Sequence, residues 1–276
     1  MSQIAVRERF AALASSPSDA IDLAEAALLI AAETSEVDVG AYLSQLDDLA
    51  SAFEENFDPS TSLDISVSSL SDYIHVHEGF AGNFKNYHDP ENSYLNRVID
   101  TRRGIPISLA LIHIALGQRL NLPVGGINFP GHFLVRYGGP DKHLVVDPFS
   151  GRMLSESDCA NLLRQISGNR LKLEPGHIEF APNKDILLRM LDNLKQIFWR
   201  EKSWASGRAC IERQLLLRPQ QNEYLIQLGA IYEMQGQPQQ AQSIYTDVLQ
   251  SCEDEQLRSV ASKRLLSLTP RAPTIH

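Results

Sequence analysis

The sequence predicts an α+β core that is preceded by helices and followed by an all-helical repeat region. Three observations lead to this class. An apolar helix is predicted from Pro106 to Leu120, two short strands joined by a tight turn follow it, and apolar residues recur at a fixed interval after Asp185. Helical periodicity, strand alternation and a repeat, in this order, are typical of a mixed domain joined to a helical array.

Helical patterns occupy the first part of the chain. Helices are predicted over Ile4–Leu13, Ala20–Glu33, Asp38–Phe53 and Leu63–Val76. The third has the cleanest apolar stripe, and Ser16–Asp19 ahead of the second is a capping signal. The fourth leaves two interpretations open, because Ile65-Ser66-Val67 alternates as a strand does. We assign no chemistry to these helices.

The predicted helix from Pro106 to Leu120 gives Ser108 a special position. Proline suits the first turn of a helix, where its missing N–H is not needed. The helix is apolar nearly all round, which predicts that it is buried. Ser108 therefore lies at the positive end of a buried helix, where unpaired backbone N–H groups can stabilise an oxyanion.

The two strands that follow carry His132 and Asp147. Strands are predicted over Phe129–Tyr137 and Lys142–Asp147, around the turn sequence Gly138–Asp141. A four-residue loop would place Tyr137 opposite Lys142, and the same register brings His132 opposite Asp147. Opposed side chains have Cβ atoms roughly 4.5–5.5 Å apart on one face of the sheet. The sequence therefore predicts a His132–Asp147 hydrogen bond that depends on this register.

Several short motifs resemble a bacterial transglutaminase-like family whose members carry C-terminal tetratricopeptide repeats. They are Gly104-x-Pro106-Ile107-Ser108-Leu109, Pro130-Gly131-His132-Phe133, Val146-Asp147-Pro148-Phe149 and the upstream segments Gly79–Asn83 and Asn92–Asn96. One member is an invasion-regulator homologue, and a related core occurs in a eukaryotic F-box protein. The resemblance implies a papain-like α+β core with a Cys-His-Asp order, in which Ser108 stands where active transglutaminases and papain-like proteases have cysteine.

The serine at position 108 changes the expected chemistry. A cysteine at a helix N-terminus beside a histidine is largely thiolate, whereas a serine hydroxyl must give its proton to the base during attack. A site shaped for sulfur also leaves the shorter serine oxygen displaced from its target, and small displacements cost about 100-fold in rate. We therefore expect a non-catalytic scaffold that recognises a protein or peptide.

Two other interpretations stay open. The first is a Ser-His-Asp hydrolase, amidase- or protease-like, with Ser108 as nucleophile, His132 as base and Asp147 as orienting acid. In the second, Ser108 only caps the buried helix, and His132 and Asp147 form a hydrogen-bonded core pair. A Ser108 Oγ within about 3.5 Å of a His132 nitrogen, and open to solvent, would favour catalysis.

Composition and net charge limit the kinds of binding partner and the cellular compartment that we expect for this protein. The 276 residues carry a net charge of −9, which argues against nucleic acid as a partner. Three widely spaced cysteines indicate neither a disulfide framework nor a zinc site, so we expect a reducing cytoplasm. No signal core or membrane-spanning run is found. We expect no cofactor and no metal, because the one candidate pair, His75-x-His77, is not followed by a second ligand pair.

The chain from Asp185 onward has a repeat of 34 residues. Leu191, Leu194 and Phe198 recur as Leu225, Leu228 and Tyr232. This spacing resembles the tetratricopeptide pattern. We predict a helical N-terminal segment plus transglutaminase-like core over residues 1–182, and tetratricopeptide-like repeats over 183–276. The repeats would either bind a peptide or close the core, and the sequence favours neither.

Overall fold

The computed structural model describes residues 2–58, 60–139 and 141–268. The chain forms two compact units, Met1–Met190 and Leu191–His276. The first contains both helices and strands, whereas the described part of the second contains helices and their connections. The mixed helix and strand content predicted from the sequence is therefore confirmed. The domain boundary at residues 182 and 183 stays a prediction.

Four helices lead into the first unit. They are α1 (Gln3–Ser15), α2 (Leu23–Ala31), α3 (Val39–Glu54) and α4 (Leu63–Asp72). The Asp22 carboxylate caps α2 by accepting hydrogen bonds from the N–H groups of Ala24 and Glu25, at 2.8 and 3.0 Å. Every residue of α2 except Glu25 is buried, which makes it a core helix. The strand alternative for Ile65–Val67 is wrong, because this segment lies within α4.

The fourth helix leaves α-helical geometry after Asp72, earlier than predicted. Tyr73–His77 forms a π-helical turn, closed by a 2.8 Å hydrogen bond from the Glu78 N–H to the Tyr73 carbonyl. A π-turn inserts a residue and so changes which side chains share a face. His75 contacts the buried His113, while Val76 is 80% exposed.

The central helix is confirmed almost as predicted. Two short parallel strands, β1 (Ala81–Gly82) and β2 (Arg103–Gly104), pair on either side of α5 (Leu95–Thr101). Directly after β2, α6 (Pro106–Arg119) begins with Pro106 in its first turn. It is buried from Pro106 through Gly117, as its all-round apolar character predicts.

A four-stranded antiparallel sheet follows α6 in the order β3-β4-β5-β6. Its strands are β3 (Val124–Ile127), β4 (Leu134–Gly138), β5 (His143–Asp147) and β6 (Arg152–Leu154). The predicted register is wrong by two residues, since Tyr137 pairs with Leu144 and Gly138 with His143. Gly138 has a φ of +95° and stays in the strand, where it pairs with His143. A shift of two residues leaves every side chain on its predicted face.

One more helix packs against this sheet. It is α7 (Glu156–Ser167), and its start is a capping box in which Ser155 and Asp158 bond each other's backbone N–H groups, at 3.2 and 2.9 Å. Cys159 and Leu163 of α7 are buried against sheet residues including Ile127 and Val145. This cluster fixes the strands that carry the candidate site.

The second unit is built from helices. The division between the units falls within α8 (Asn183–Arg200), which is followed by α9 (Trp204–Leu217), α10 (Asn222–Met234), α11 (Pro238–Ser251) and α12 (Glu255–Leu268). At Gly229 a Cβ atom would lie 2.5 Å from the Tyr245 ring, so glycine permits close approach of α10 and α11. Ala241 and Tyr245 are fully buried in the resulting cluster.

Candidate functional site

His132 and Asp147 form a hydrogen-bonded pair. The distance from His132 Nε2 to Asp147 Oδ1 is 2.9 Å, and the two side chains are 17% and 18% exposed. The predicted contact is therefore present although the predicted register is not. Asp147 ends β5, whereas His132 precedes β4 instead of lying on it. Among the described residues, His132 Nδ1 has no hydrogen-bond partner, so the ring keeps one nitrogen available.

The residues after β5 hold the Asp147 carboxylate in its ionised form. Oδ1 accepts a hydrogen bond from the Phe149 N–H at 3.0 Å, and Oδ2 accepts one from the Ser150 hydroxyl at 2.8 Å. Burial works against ionisation here. The hydrogen bond and charge of His132, with the Phe149 and Ser150 donors, outweigh burial and hold the pKa of Asp147 below its usual value. Asp147 can therefore orient the imidazole.

Arg189 fixes the loop that presents His132. Its guanidinium donates hydrogen bonds to the carbonyls of Phe129 and His132, at 3.1 and 2.5 Å. It also lies 5.4 Å from the centroid of the Phe133 ring. Gly131 in this loop has a φ of +68°, a conformation that glycine adopts readily. The position of His132 is thus set by hydrogen bonds from the Arg189 side chain of α8 to backbone carbonyls and by the glycine turn.

Ser108 is hydrogen-bonded elsewhere and not to this pair. It is 0% exposed. Its Oγ donates to the Asn92 carbonyl at 2.6 Å and accepts from the Ile105 N–H at 3.1 Å. The second bond ties the third helical residue back to the N-cap residue, which is one half of a capping box. In the part of the chain that the structure describes, Ser108 makes no hydrogen bond to His132.

Gly104 is needed for this arrangement of Ser108. A Cβ atom at position 104 would lie 2.7 Å from Ser108 Oγ and 3.1 Å from a methyl carbon of Val98. Glycine therefore leaves the space in which the hydroxyl turns back toward the backbone. Of the three residues predicted to form a triad, the structure brings together His132 and Asp147 and places Ser108 in a helix cap.

A second polar system, which the sequence did not predict, links the π-turn, α6 and β4. His75 Nε2 and His113 Nε2 are 2.9 Å apart, and His113 Nδ1 lies 3.0 Å from the Tyr137 hydroxyl. His113 and Tyr137 are fully buried. The only sequence signal is His113 itself, a titratable residue in an otherwise apolar helix. Its partners are 38 and 24 residues away along the chain and have no local signature.

Counting hydrogens gives this system a direction. The Phe80 carbonyl can only accept, so His75 Nδ1 donates to it at 2.8 Å and His75 Nε2 is the acceptor of a neutral ring. His113 Nε2 then donates to His75, and His113 Nδ1 accepts from the Tyr137 hydroxyl. We call the chain of Tyr137, His113, His75 and Phe80 the buried relay.

Both histidines of the buried relay are held neutral. Burial lowers the pKa of His75. Burial, with the neighbouring His75 as a second cause, lowers the pKa of His113 to about 3. The pair suggested as a metal site does not form, because His75 joins the relay while His77 bonds Glu78 at 3.1 Å. Gly151, with a φ of +74°, packs against this relay, where a Cβ would lie 2.6 Å from the His75 ring.

No helix in the described ranges is long and apolar enough to cross a bilayer.

The family model of the transglutaminase-like superfamily matches residues 40–192. This segment contains α6, the sheet and both polar systems, so the match covers the candidate site.

Relatives match over more of the chain. A UPF0162 protein of Xylella fastidiosa (strain 9a5c) is 33% identical over 243 residues, which cover 86% of this chain and 86% of that protein. A UPF0162 protein of Pseudomonas aeruginosa is 34% identical over 176 residues, covering 63% of this chain and 64% of that protein. F-box only protein 21 of Homo sapiens is 29% identical over 170 residues, covering 55% of this chain and 25% of that protein. No solved structure matches the chain.

The family model matches more than half of the chain, and the Xylella protein aligns with most of it. The sequence resemblance to a transglutaminase-like family is thereby confirmed. The chain belongs to the transglutaminase-like superfamily, together with the UPF0162 proteins.

Proposed function

We propose that this protein is a transglutaminase-like pseudoenzyme with a papain-like core, which recognises a protein or peptide at the surface around His132. One observation carries the proposal. A serine nucleophile needs its hydroxyl open to substrate and bonded to its base. The Ser108 hydroxyl is fully buried and is engaged with Asn92 and Ile105 instead.

Aromatic residues beside the His132–Asp147 pair supply the recognition surface in this proposal. The Phe149 ring centroid lies 4.5 Å from that of Phe84 and 6.0 Å from that of Tyr87. Phe84 is 77% exposed and Tyr87 is 44% exposed. The Phe149 N–H bonds Asp147, so this aromatic patch of Phe84, Tyr87 and Phe149 borders the pair. Clustered exposed aromatic rings are typical of interaction surfaces.

The proposal also covers the helices after residue 182. We propose that they form tetratricopeptide-like repeats that bind a peptide in the cytoplasm. Their support is the 34-residue recurrence and the succession of helices α8 to α12. The small residues Gly229 and Ala241 also fit, since they lie where adjacent helices pack closely against Tyr245.

Activity-based labelling tests the loss of catalysis. Purified full-length protein is treated with a fluorophosphonate probe, beside a Ser108→Ala variant. We expect equal, background labelling of both proteins, because the buried hydroxyl cannot reach the probe. Labelling that maps to Ser108 and disappears in the variant would overturn the pseudoenzyme.

Recognition at the aromatic patch is tested separately. Peptides are selected from a displayed library on the full-length protein, and their affinities are measured by calorimetry. We expect Phe84→Ala to weaken the selected peptides at least about tenfold, since aromatic anchors dominate interface energies. The matched control is Ile65→Ala, at a position that is 54% exposed on α4. Equal affinity for wild type and Phe84→Ala would contradict recognition at this patch.

The alternative function is a Ser-His-Asp hydrolase of amidase or protease type. The observation that favours it is the His132–Asp147 hydrogen bond, which leaves His132 Nδ1 without a partner among the described residues, as a general base requires. It requires Ser108 to leave its cap and face His132. The labelling experiment distinguishes the two functions.

A further inference from the structure

A cavity of about 1020 Å³ lies between the C-terminal end of α3 and the end of α4. It shares no residue with the aromatic patch or with the His132–Asp147 pair, and it does not depend on the proposed function. Its walls come from Ala52–Phe57 on one side and from Ser69–Glu78 on the other. Its size is in the range of ligand-binding clefts.

Aromatic rings form a continuous row along this cavity. Phe53 and Phe57 are stacked, with centroids 4.8 Å apart and an interplanar angle of 22°. Tyr73 and His77 are stacked in the same manner, at 5.2 Å and 20°. Phe53 and Tyr73 connect the two stacks at 5.3 Å. At these separations the facing sides of each pair are in contact, so a ligand would meet the outer rings of the row, Phe57 and His77. Ring faces carry the negative end of the aromatic quadrupole.

The charged side chains that line the cavity are acidic. They are Glu55, Asp72 and Glu78, and no lysine or arginine is among the lining residues. Glu78 is engaged by Arg102 and His77, each at 3.1 Å. Within residues 2–58, 60–139 and 141–268, Glu55 and Asp72 form no ion pair. Two exposed carboxylates thus remain available beside the rings.

The π-turn places two of these rings at the cavity. The Tyr73 hydroxyl is buried, and burial together with the neighbouring Glu78 carboxylate raises the pKa of Tyr73. The π-helical turn Tyr73–His77 sets Tyr73 and His77 on the cavity side and His75 in the buried relay. Turns of this kind occur frequently at functional sites.

We propose that this cavity binds an arginine side chain of a partner protein. A cation is favoured both by the ring faces and by two unpaired carboxylates. Arginine is favoured over lysine because its planar guanidinium stacks on an aromatic face and donates hydrogen bonds in a fork that matches carboxylates.

The test is an NMR titration of the full-length, 15N-labelled protein. The probes are the N-acetyl N-methylamides of arginine, of lysine and of citrulline, the last being the neutral isostere of arginine. We expect saturable shifts of amides in the cavity walls with the arginine probe, weaker shifts with lysine and none with citrulline. Shifts of equal affinity with lysine would overturn the choice of arginine, and a response to citrulline would overturn recognition of charge.

Variants locate the binding. Glu55→Gln combined with Asp72→Asn, and separately Phe57→Leu, should each weaken the arginine probe about fivefold or more. The matched control combines Glu36→Gln with Asp48→Asn, which removes the same charge from exposed positions outside the cavity. An equal loss in this control would show that net charge alone attracts the probe, and would overturn the site. Thermal melting of each variant verifies that it is folded.

Discussion

The first unit contains two groups of hydrogen-bonded histidines that differ in burial and in how fully their ring nitrogens are bonded. His132 bonds the ionised Asp147 at 2.9 Å near the surface, where its other nitrogen is without a described partner. The buried relay passes from Tyr137 through His113 and His75 to a carbonyl, with both rings neutral and His113 fully buried. One system has an unused nitrogen and a charged partner, whereas in the other each ring nitrogen is bonded within the protein.

This contrast teaches how to separate a candidate site from a structural network. A buried polar group contributes to stability when every donor and acceptor is matched, and it is costly when one is left unmatched. Ser108 belongs with the buried relay in this respect, because its hydroxyl is matched within the protein. Of these three systems, the His132–Asp147 pair is the one that keeps hydrogen-bonding capacity for a ligand among the described residues. The following substitutions test that division.

The largest effect is expected from His113→Leu. The substitution takes the donor from His75 Nε2 and the nearest acceptor from the Tyr137 hydroxyl, in a buried environment. We expect the free energy of unfolding to fall by about 2–4 kcal/mol, measured by urea denaturation. The double variant with Tyr137→Phe should recover part of this loss, because it removes a buried hydroxyl that would keep only the more distant carbonyl of residue 113, at 3.3 Å, as its acceptor. A loss below about 1 kcal/mol would mean that the relay is dispensable.

Gly104→Ala tests whether Ser108 belongs to the buried, structural set. The new Cβ would lie 2.7 Å from Ser108 Oγ, so the cap must shift. We expect a loss of about 1–3 kcal/mol in the free energy of unfolding. Adding Ser108→Ala should return some of it by removing the hydroxyl. The matched control is Gly139→Ala, where a Cβ would meet no atom within 4 Å. Equal losses at both glycines would contradict the account of the cap.

Acidification should weaken the fold through the buried relay. Below the ordinary histidine pKa of 6.5, these two histidines bind protons in the unfolded chain but stay neutral in the folded protein, because the fold lowers the pKa of His75 and of His113. The free energy of unfolding therefore decreases as the pH is lowered, by up to about 1.4 kcal/mol per pH unit for each histidine. Asp147 acts in the same direction, but only as the pH falls below its ordinary value of 3.8. Denaturation curves between pH 4 and 8 measure this, and His113→Leu should flatten the dependence.

His132→Ala should have the smallest effect on stability. The side chain is partly exposed, and Asp147 retains the Phe149 and Ser150 donors when the imidazole is removed. We expect a change of at most about 1 kcal/mol in the free energy of unfolding. A loss as large as that of His113→Leu would place His132 among the structural residues and remove the contrast between the two systems.

Local sequence patterns predicted much of the first unit, and its long-range polar contacts required the structure. The start of α6 at Pro106 follows from the preference of proline for the first turn of a helix. Alternation predicted which side chains of β4 and β5 share a face of the sheet, even though the predicted register was wrong by two residues. Gly138 caused that error, because a glycine that normally signals a turn stayed in the strand with a positive φ. The direction of the Ser108 hydroxyl depends on the Asn92 carbonyl, 16 residues away. No local pattern encodes such a contact.

The turn at Gly151 also bears on the order in which the first unit folds. The Gly151 carbonyl accepts a hydrogen bond from the Ser71 hydroxyl at 2.8 Å, across 80 residues of chain. Closing so long a loop costs more entropy than forming the hairpins, so we expect this docking after the transition state for folding. Gly151→Ala, which would press on the His75 ring, should then accelerate unfolding and leave the refolding rate nearly unchanged. Stopped-flow kinetics in urea would measure both rates, and slower refolding would place this contact in the folding nucleus.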